Sequence, residues 1–190
     1  MSKAKKFKKL CLQYSYLKME EEEVNEICAL VGQEMQEHIK NEYPEYYEAI
    51  YHFMPDVHPE VSATEKLIAE VIDETKNDKN KDLKKLYREI AKQTHPDKED
   101  SNSDLFKESA QAYASNDMGK MLQIASKTNI EVPKDISPET ISLLQENILS
   151  IHNDIKKHKE TVSWAWYKAK NKQEKEVIIT NILYHIGATL

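Results

Sequence analysis

Leu83-Lys84-Lys85-Leu86-Tyr87-Arg88-Glu89-Ile90-Ala91-Lys92-Gln93-Thr94-His95-Pro96-Asp97-Lys98 joins a two-faced helical pattern to a proline-centred turn. At about 100° per residue, Lys81, Lys84, Lys85, Arg88 and Lys92 fall within roughly one 100° arc of a helix. Leu83, Leu86, Tyr87, Ile90 and Ala91 take the opposite side. The spacing predicts a helix over about Asp82 to Thr94 that buries one face and turns a dense cationic stripe outward. Pro96 ends it, because the residue before a proline is pushed out of helical geometry. Pro96 also fixes its own φ and removes an amide donor, so His95 and Asp97 are held at the tip of a turn. The chain then returns through a helix marked by Leu105, Phe106, Ala110 and Tyr113. An imidazole, a rigid ring and a carboxylate with no third group to orient a nucleophile make a recognition edge rather than an active site.

Outward from this hairpin the chain reads as all helical. It has 190 residues with only 3 glycines, 32% charged residues and little Val-rich alternation, a composition typical of helices. On the C-terminal side, Asn116 or Asp117 can cap a further helix carrying Met118, Met121, Leu122 and Ala125. Pro133 and Pro138 bracket a junction, with Ser137 a candidate N-cap and Pro138 the first helical residue. A 3-4 stripe follows through Ile141, Leu144, Ile148, Ile151, Ile155, His158, Val162, Ala165 and Ala169. It fades over 170–176, and Val177 to Ile186 add a last helical turn or two. On the N-terminal side, Leu67 to Ile72 suggest one helix and Thr75 to Lys81 a loop. Pro55 and Pro59 make Met54 to Val61 a linker. A short helix after Pro44 places Tyr47, Ile50, Tyr51 and Met54 on one face. A long seam precedes it: Leu10, Tyr14, Leu17, Glu21, Val24, Cys28, Val31, Met35 and His38. Three segments result: a helical, coiled-coil-like part over 1–61, a central module over 62–130 and a long-helix part over 131–190. The two terminal seams are expected to pair with each other as a coiled coil or small bundle, with homodimerisation through the same seams as the competitor.

Charge and chemistry exclude several classes. The net charge of −6 argues against bulk affinity for nucleic acid, which needs a basic surface. The basic run from Lys79 to Lys98 is an island in an acidic chain, and Lys3 to Lys9 reads as a frayed, solubilising end. Cys11 and Cys28 lack CxxC spacing, so neither zinc nor a disulfide is expected. No phosphate loop, metal cluster or nucleophile–base pair suggests an enzyme or a cofactor. Without a signal peptide or a run of about 20 apolar residues, the chain is expected to be cytoplasmic and free of membrane. His58-Pro59-Glu60 imitates the His95 tripeptide but lacks a basic helix before it and reads as linker. His152 and His158 are poorly spaced for metal and read as seam or surface. Trp164 and Trp166 read as packing between helices.

A His-Pro-Asp triplet arises by chance in such a chain at the order of one per cent. Here Leu-Tyr-Arg-x-Ile-Ala precedes it and Phe106-Lys107-Glu108 with Ala112-Tyr113 follows. In this it resembles the J domain of DnaJ-type co-chaperones, in which His-Pro-Asp lies between two antiparallel helices. The resemblance covers about Asp82 to Tyr113 and extends more faintly to about Ala125. It implies a J-like central domain with Leu83, Leu86, Tyr87, Ile90, Ala91, Phe106, Ala110 and Tyr113 as core. It implies that Lys84, Lys85, Arg88 and Lys92 dock on the acidic face of a DnaK-type (heat-shock-70-type) chaperone. His95, Pro96 and Asp97 would engage the junction of that chaperone's ATPase domain and linker, Asp97 through an arginine. The partner would then hydrolyse ATP faster, while this chain performs no chemistry. The chain departs from the family in lacking the usual first helix with Tyr-x-x-Leu-Gly; whether residues 64–75, with Leu67 to Ile72, replace it is left open by the sequence. Glu89 replaces a common Lys or Arg, and Thr94 a common aromatic. With so few glycines and cysteines, neither a Gly/Phe-rich linker nor a cysteine-rich zinc region is present. It therefore resembles the reduced class with a J module on unrelated helices, which would choose the client or complex. The competing expectation is a helical interaction scaffold whose J-like hairpin no longer couples to a chaperone.

Overall fold

The computed structural model describes residues 2–53, 80–96, 103–131 and 136–188. Among them the protein is helical with connecting turns and no strand. The elements are α1 (Lys3–Glu42), a 3-10 turn (Pro44–Tyr46), α2 (Tyr47–Phe53), α3 (Lys81–Thr94), α4 (Ser103–Ala114), α5 (Met118–Lys127), α6 (Pro138–Lys159), α7 (Val162–Lys168) and α8 (Lys172–His185). The expected linker over Met54 to Val61, the Leu67 to Ile72 helix and His58-Pro59-Glu60 lie outside the described residues. No described helix is long and apolar enough to cross a membrane.

Several boundaries follow from side chains that satisfy the free amides of a first helical turn. The Asn80 side chain accepts from the amides of Asp82 (2.9 Å) and Leu83 (3.2 Å), opening α3. Asp117 accepts from the Lys120 amide at 2.9 Å, so it caps α5 rather than Asn116. Asn116 instead takes a positive φ of 54°, a conformation asparagine tolerates. Ser137 Oγ accepts from the Thr140 amide at 3.1 Å, and Pro138 starts α6.

Three expectations are corrected. Lys3 to Lys9 are the first turns of α1 rather than a frayed end. Lysine is a good helix former, and Ser2 accepts from the amides of Lys5 and Lys6. The single C-terminal stripe is interrupted after Lys159. Thr161 donates to the His158 carbonyl (2.7 Å) and accepts from the Trp164 amide (3.3 Å), closing one helix and opening the next. The last helix is also longer than a turn or two. Asn171 accepts from the Glu174 amide, and the Glu174 carboxylate reaches back to the Lys170 amide at 2.8 Å, a reciprocal cap that lets α8 start at Lys172.

The described residues form two compact units. One takes in the chain up to Leu17 and from Asn80 to Ile151; the other runs from Lys18 to Phe53 and from His152 onward. In the first, Leu83, Leu86 and Ile90 of α3 meet Ala112 and Tyr113 of α4, and Met118, Met121, Ile124 and Ala125 of α5, with Ile130 closing the cluster. Burying each large aliphatic side chain contributes roughly 1.5–3 kcal/mol. Tyr14 of α1 is also buried in this unit, its ring against Gly119, where an added Cβ would lie 2.2 Å from ring carbons. Its hydroxyl donates to Asp117 Oδ2 at 2.8 Å. From α6, Asn147 Oδ1 accepts from the Met118 amide and Asn147 Nδ2 donates to the Asn116 carbonyl.

The second unit packs Met35 and Ile39 of α1 and Ile50 of α2 against Trp166 of α7 and Ile179, Ile182 and Leu183 of α8. Trp166 Nε1 donates to Glu34 at 3.3 Å, and Lys175 Nζ reaches the same oxygen at 2.5 Å. The hydrogen bonds from Lys175 and Trp166 hold the Glu34 carboxyl below its ordinary range. Lys159 pairs with Glu20 at 2.6 Å. Cys11 and Cys28 are free and half-buried, and burial pushes both thiols up.

Candidate functional site

The α3 helix divides its surface as its sequence dictates. Leu83, Leu86 and Ile90 are buried in the first unit's core. Lys81, Lys85, Arg88 and Lys92 are exposed and Lys84 half-exposed; together with Glu89 they line one open depression. Asp82, the other acidic residue on this helix, is drawn away from the stripe. Its Oδ2 accepts from Thr140 Oγ1 at 2.6 Å and from the Ser137 amide at 3.4 Å. Burial opposes ionisation of Asp82, but these hydrogen bonds and the nearby Lys85 outweigh it and hold the carboxyl below its ordinary range. Five cations therefore stand on one face, with Glu89 alone among the acidic residues of α3 beside them.

α3 and α4 are antiparallel neighbours, as two ring pairs show. The Tyr87 ring stacks on Tyr113 with centroids 4.5 Å apart and planes 9° from parallel. One end further along, His95 meets Phe106 edge-on at 5.4 Å. Such aromatic pairs stabilise by roughly 0.5–1.5 kcal/mol beyond burial. Burial, with the neighbouring Tyr113, pushes the Tyr87 phenol up. His95 follows the last turn of α3 with φ −58° and ψ 132°, the extended geometry a following proline favours. Both His95 and Pro96 are exposed. Asp97, the third member of the motif, lies outside the described residues.

Of the other expected core positions, Phe106, Tyr87, Ala91 and Ala110 are only partly buried, while Tyr113 is fully inside. Ala112 and Ser109 stand in the core beside Tyr113. The Thr94 departure has a local explanation. Thr94 is 3% exposed, at the helix end nearest His95, and its hydroxyl donates to the Ile90 carbonyl at 3.0 Å. A small side chain that satisfies its own hydroxyl fills a place an aromatic ring would overfill or displace. Ser109 does the same on α4, donating to the Phe106 carbonyl at 2.8 Å.

Three features of this region are not evident from the sequence alone. One is the His95–Phe106 contact, which antiparallel pairing of the two marked helices could have suggested. The others are the Asp82–Thr140 bond and the seat of Tyr14 on Gly119, which join residues far apart in the chain and leave no local signal. His152 is exposed and His158 half-buried, in keeping with surface and seam positions. No protein-family model matches the chain, and no curated protein or solved structure matches it either.

Proposed function

We propose that this protein is a J-domain co-chaperone that binds a DnaK-type chaperone and stimulates its ATP hydrolysis. The observation that carries the reading is His95-Pro96-Asp97 at the end of a helix whose basic face, Lys84, Lys85, Arg88 and Lys92, is turned outward. The antiparallel course of α4 and the edge contact of Phe106 on His95 support it, because they hold the exposed His95 at the end of the helix that carries the basic stripe. In this reading the lysines and arginine steer and orient an acidic partner surface. His95 and Asp97 act at the tip, and no cofactor or bond-making step belongs to this chain. The remaining helices select a client or complex.

Single-turnover ATP hydrolysis by a DnaK-type chaperone tests this, with the parent protein and with His95→Gln. The expected result is stimulation by the parent that vanishes in the variant while its helical circular dichroism is retained. Arg88→Glu should weaken stimulation and make the residual effect less sensitive to salt. A folded parent that stimulates none of several such chaperones would refute the reading and favour the scaffold alternative.

A further inference from the structure

The inner seam of α1 leaves a second apolar line on the same helix. Leu12, Tyr16, Met19 and Leu30 are 65%, 66%, 69% and 68% exposed. At about 100° per residue they fall within roughly a 60° arc. Lys5 and Lys9 continue the same 3-4 spacing toward the N-terminus, and Glu23 and Glu26 continue it between Met19 and Leu30. All four are exposed. The line therefore reads basic, apolar, acidic along one continuous helix.

We infer that this outer face of α1 pairs antiparallel with the same face of a second copy. Charge order decides both the occupant and the direction. A parallel pair sets Lys5 and Lys9 against themselves and Glu23 against itself. An antiparallel pair with Leu12 over Tyr16 of the second copy sets Lys9 over Met19, Lys5 over Glu23 and Lys8 beside Glu22. The Lys9 stem covers the methionine while its ammonium stays wet. Every contact occurs twice across the two-fold axis. An anionic bilayer fits less well, since Glu22, Glu23 and Glu26 would face the same surface as the lysines. Leu30 lies beyond this overlap. The surface differs from the inner seam, whose Leu10, Tyr14, Leu17, Val24 and Met35 are buried within the protein.

Sedimentation equilibrium of the full chain over a concentration series is the test. The expected result is a reversible step from 22.1 kDa to twice that mass. Tyr16→Glu should raise the dissociation constant at least about a hundredfold, since two carboxylates enter the apolar contact. Its helical circular dichroism should hold, because this ring faces solvent. Lys5→Glu and Glu23→Lys should each weaken the dimer about tenfold, and the double variant should restore it. A chain that stays monomeric throughout overturns the inference. So does a dimer indifferent to Tyr16→Glu, or a double variant no tighter than the singles. A monomer that binds phosphatidylserine vesicles through Tyr16 would overturn it in favour of a lipid surface.

Discussion

Replacing Gly119 by alanine should destabilise the protein, although alanine is the better helix former. The substitution gains up to about 1 kcal/mol of helix propensity in α5. Against that, the new methyl would sit 2.2 Å from Cδ2 and Cε2 of Tyr14 and 2.5 Å from Cζ, far inside contact distance. Tyr14 is 1% exposed, so its ring can yield only by shifting against the side chains packed around it. Overpacking of this kind costs about 1–3 kcal/mol. Moving the ring also strains the 2.8 Å bond from its hydroxyl to Asp117, a charge-assisted bond worth about 1.5–3 kcal/mol. The net expectation for Gly119→Ala is a loss of about 2–4 kcal/mol in urea unfolding followed by circular dichroism. The diagnostic comparison is the same change on a Tyr14→Ala background. Tyr14→Ala alone should cost about 3–5 kcal/mol. With the ring gone, Gly119→Ala should become neutral or stabilising by up to about 1 kcal/mol. A sign that does not reverse, or a Gly119→Ala protein as stable as the parent, would refute the packing argument.

Two further outcomes follow from the polar contacts around α3 and α5. The Asp82 carboxyl is held below its ordinary range, so its contribution is fully present above the usual carboxylate value of about 4 and is lost as pH falls through the lowered folded value. Asp82→Asn should therefore cost about 1 kcal/mol or less at neutral pH, solvent screening included, with the gap closing in acid; a gap that stays constant across paired urea titrations would contradict this. Asn147→Ala leaves the Met118 amide, on a residue 1% exposed, without its acceptor. It should cost about 1–3 kcal/mol and speed hydrogen exchange at that amide, and unchanged exchange would show the bond to be dispensable.

What the sequence made legible was local. The two-sided character of α3, its end before Pro96 and the caps at Asp117 and Ser137 depend on neighbours within a turn or two. The inner seam of α1 was legible for the same reason, since its periodicity is repeated many times. The break at Thr161 was hidden because Val162 and Ala165 keep the apolar spacing across it, while a single cap decides the direction of the chain. Ala110 and Ala112 could not be ranked, because small side chains two apart carry little hydrophobic contrast. The outer line of α1 is interrupted by charge, so its apolar members are too few to announce themselves without the exposures. For the candidate site, the basic stripe and His95 were readable, whereas the ring that orients His95 depends on the register of two helices. Tyr14 on Gly119 is a tertiary fact with no trace in either neighbourhood.

The turn between α4 and α5 is held from both directions of the chain. Asp117 receives the Tyr14 hydroxyl from α1, and Met118 and Asn116 are held by Asn147 from α6. The helical hairpin is thus not a cassette. A fragment cut at the apparent ends of the central segment would carry a capping aspartate stripped of its phenol, an amide stripped of its amide partner and a glycine facing an open hole. Swapping such a piece into another protein would transfer the basic stripe and His95 without the contacts that hold the base of their helices. Sequence drift at Tyr14 or Asn147, neither within the hairpin, would be felt at its base.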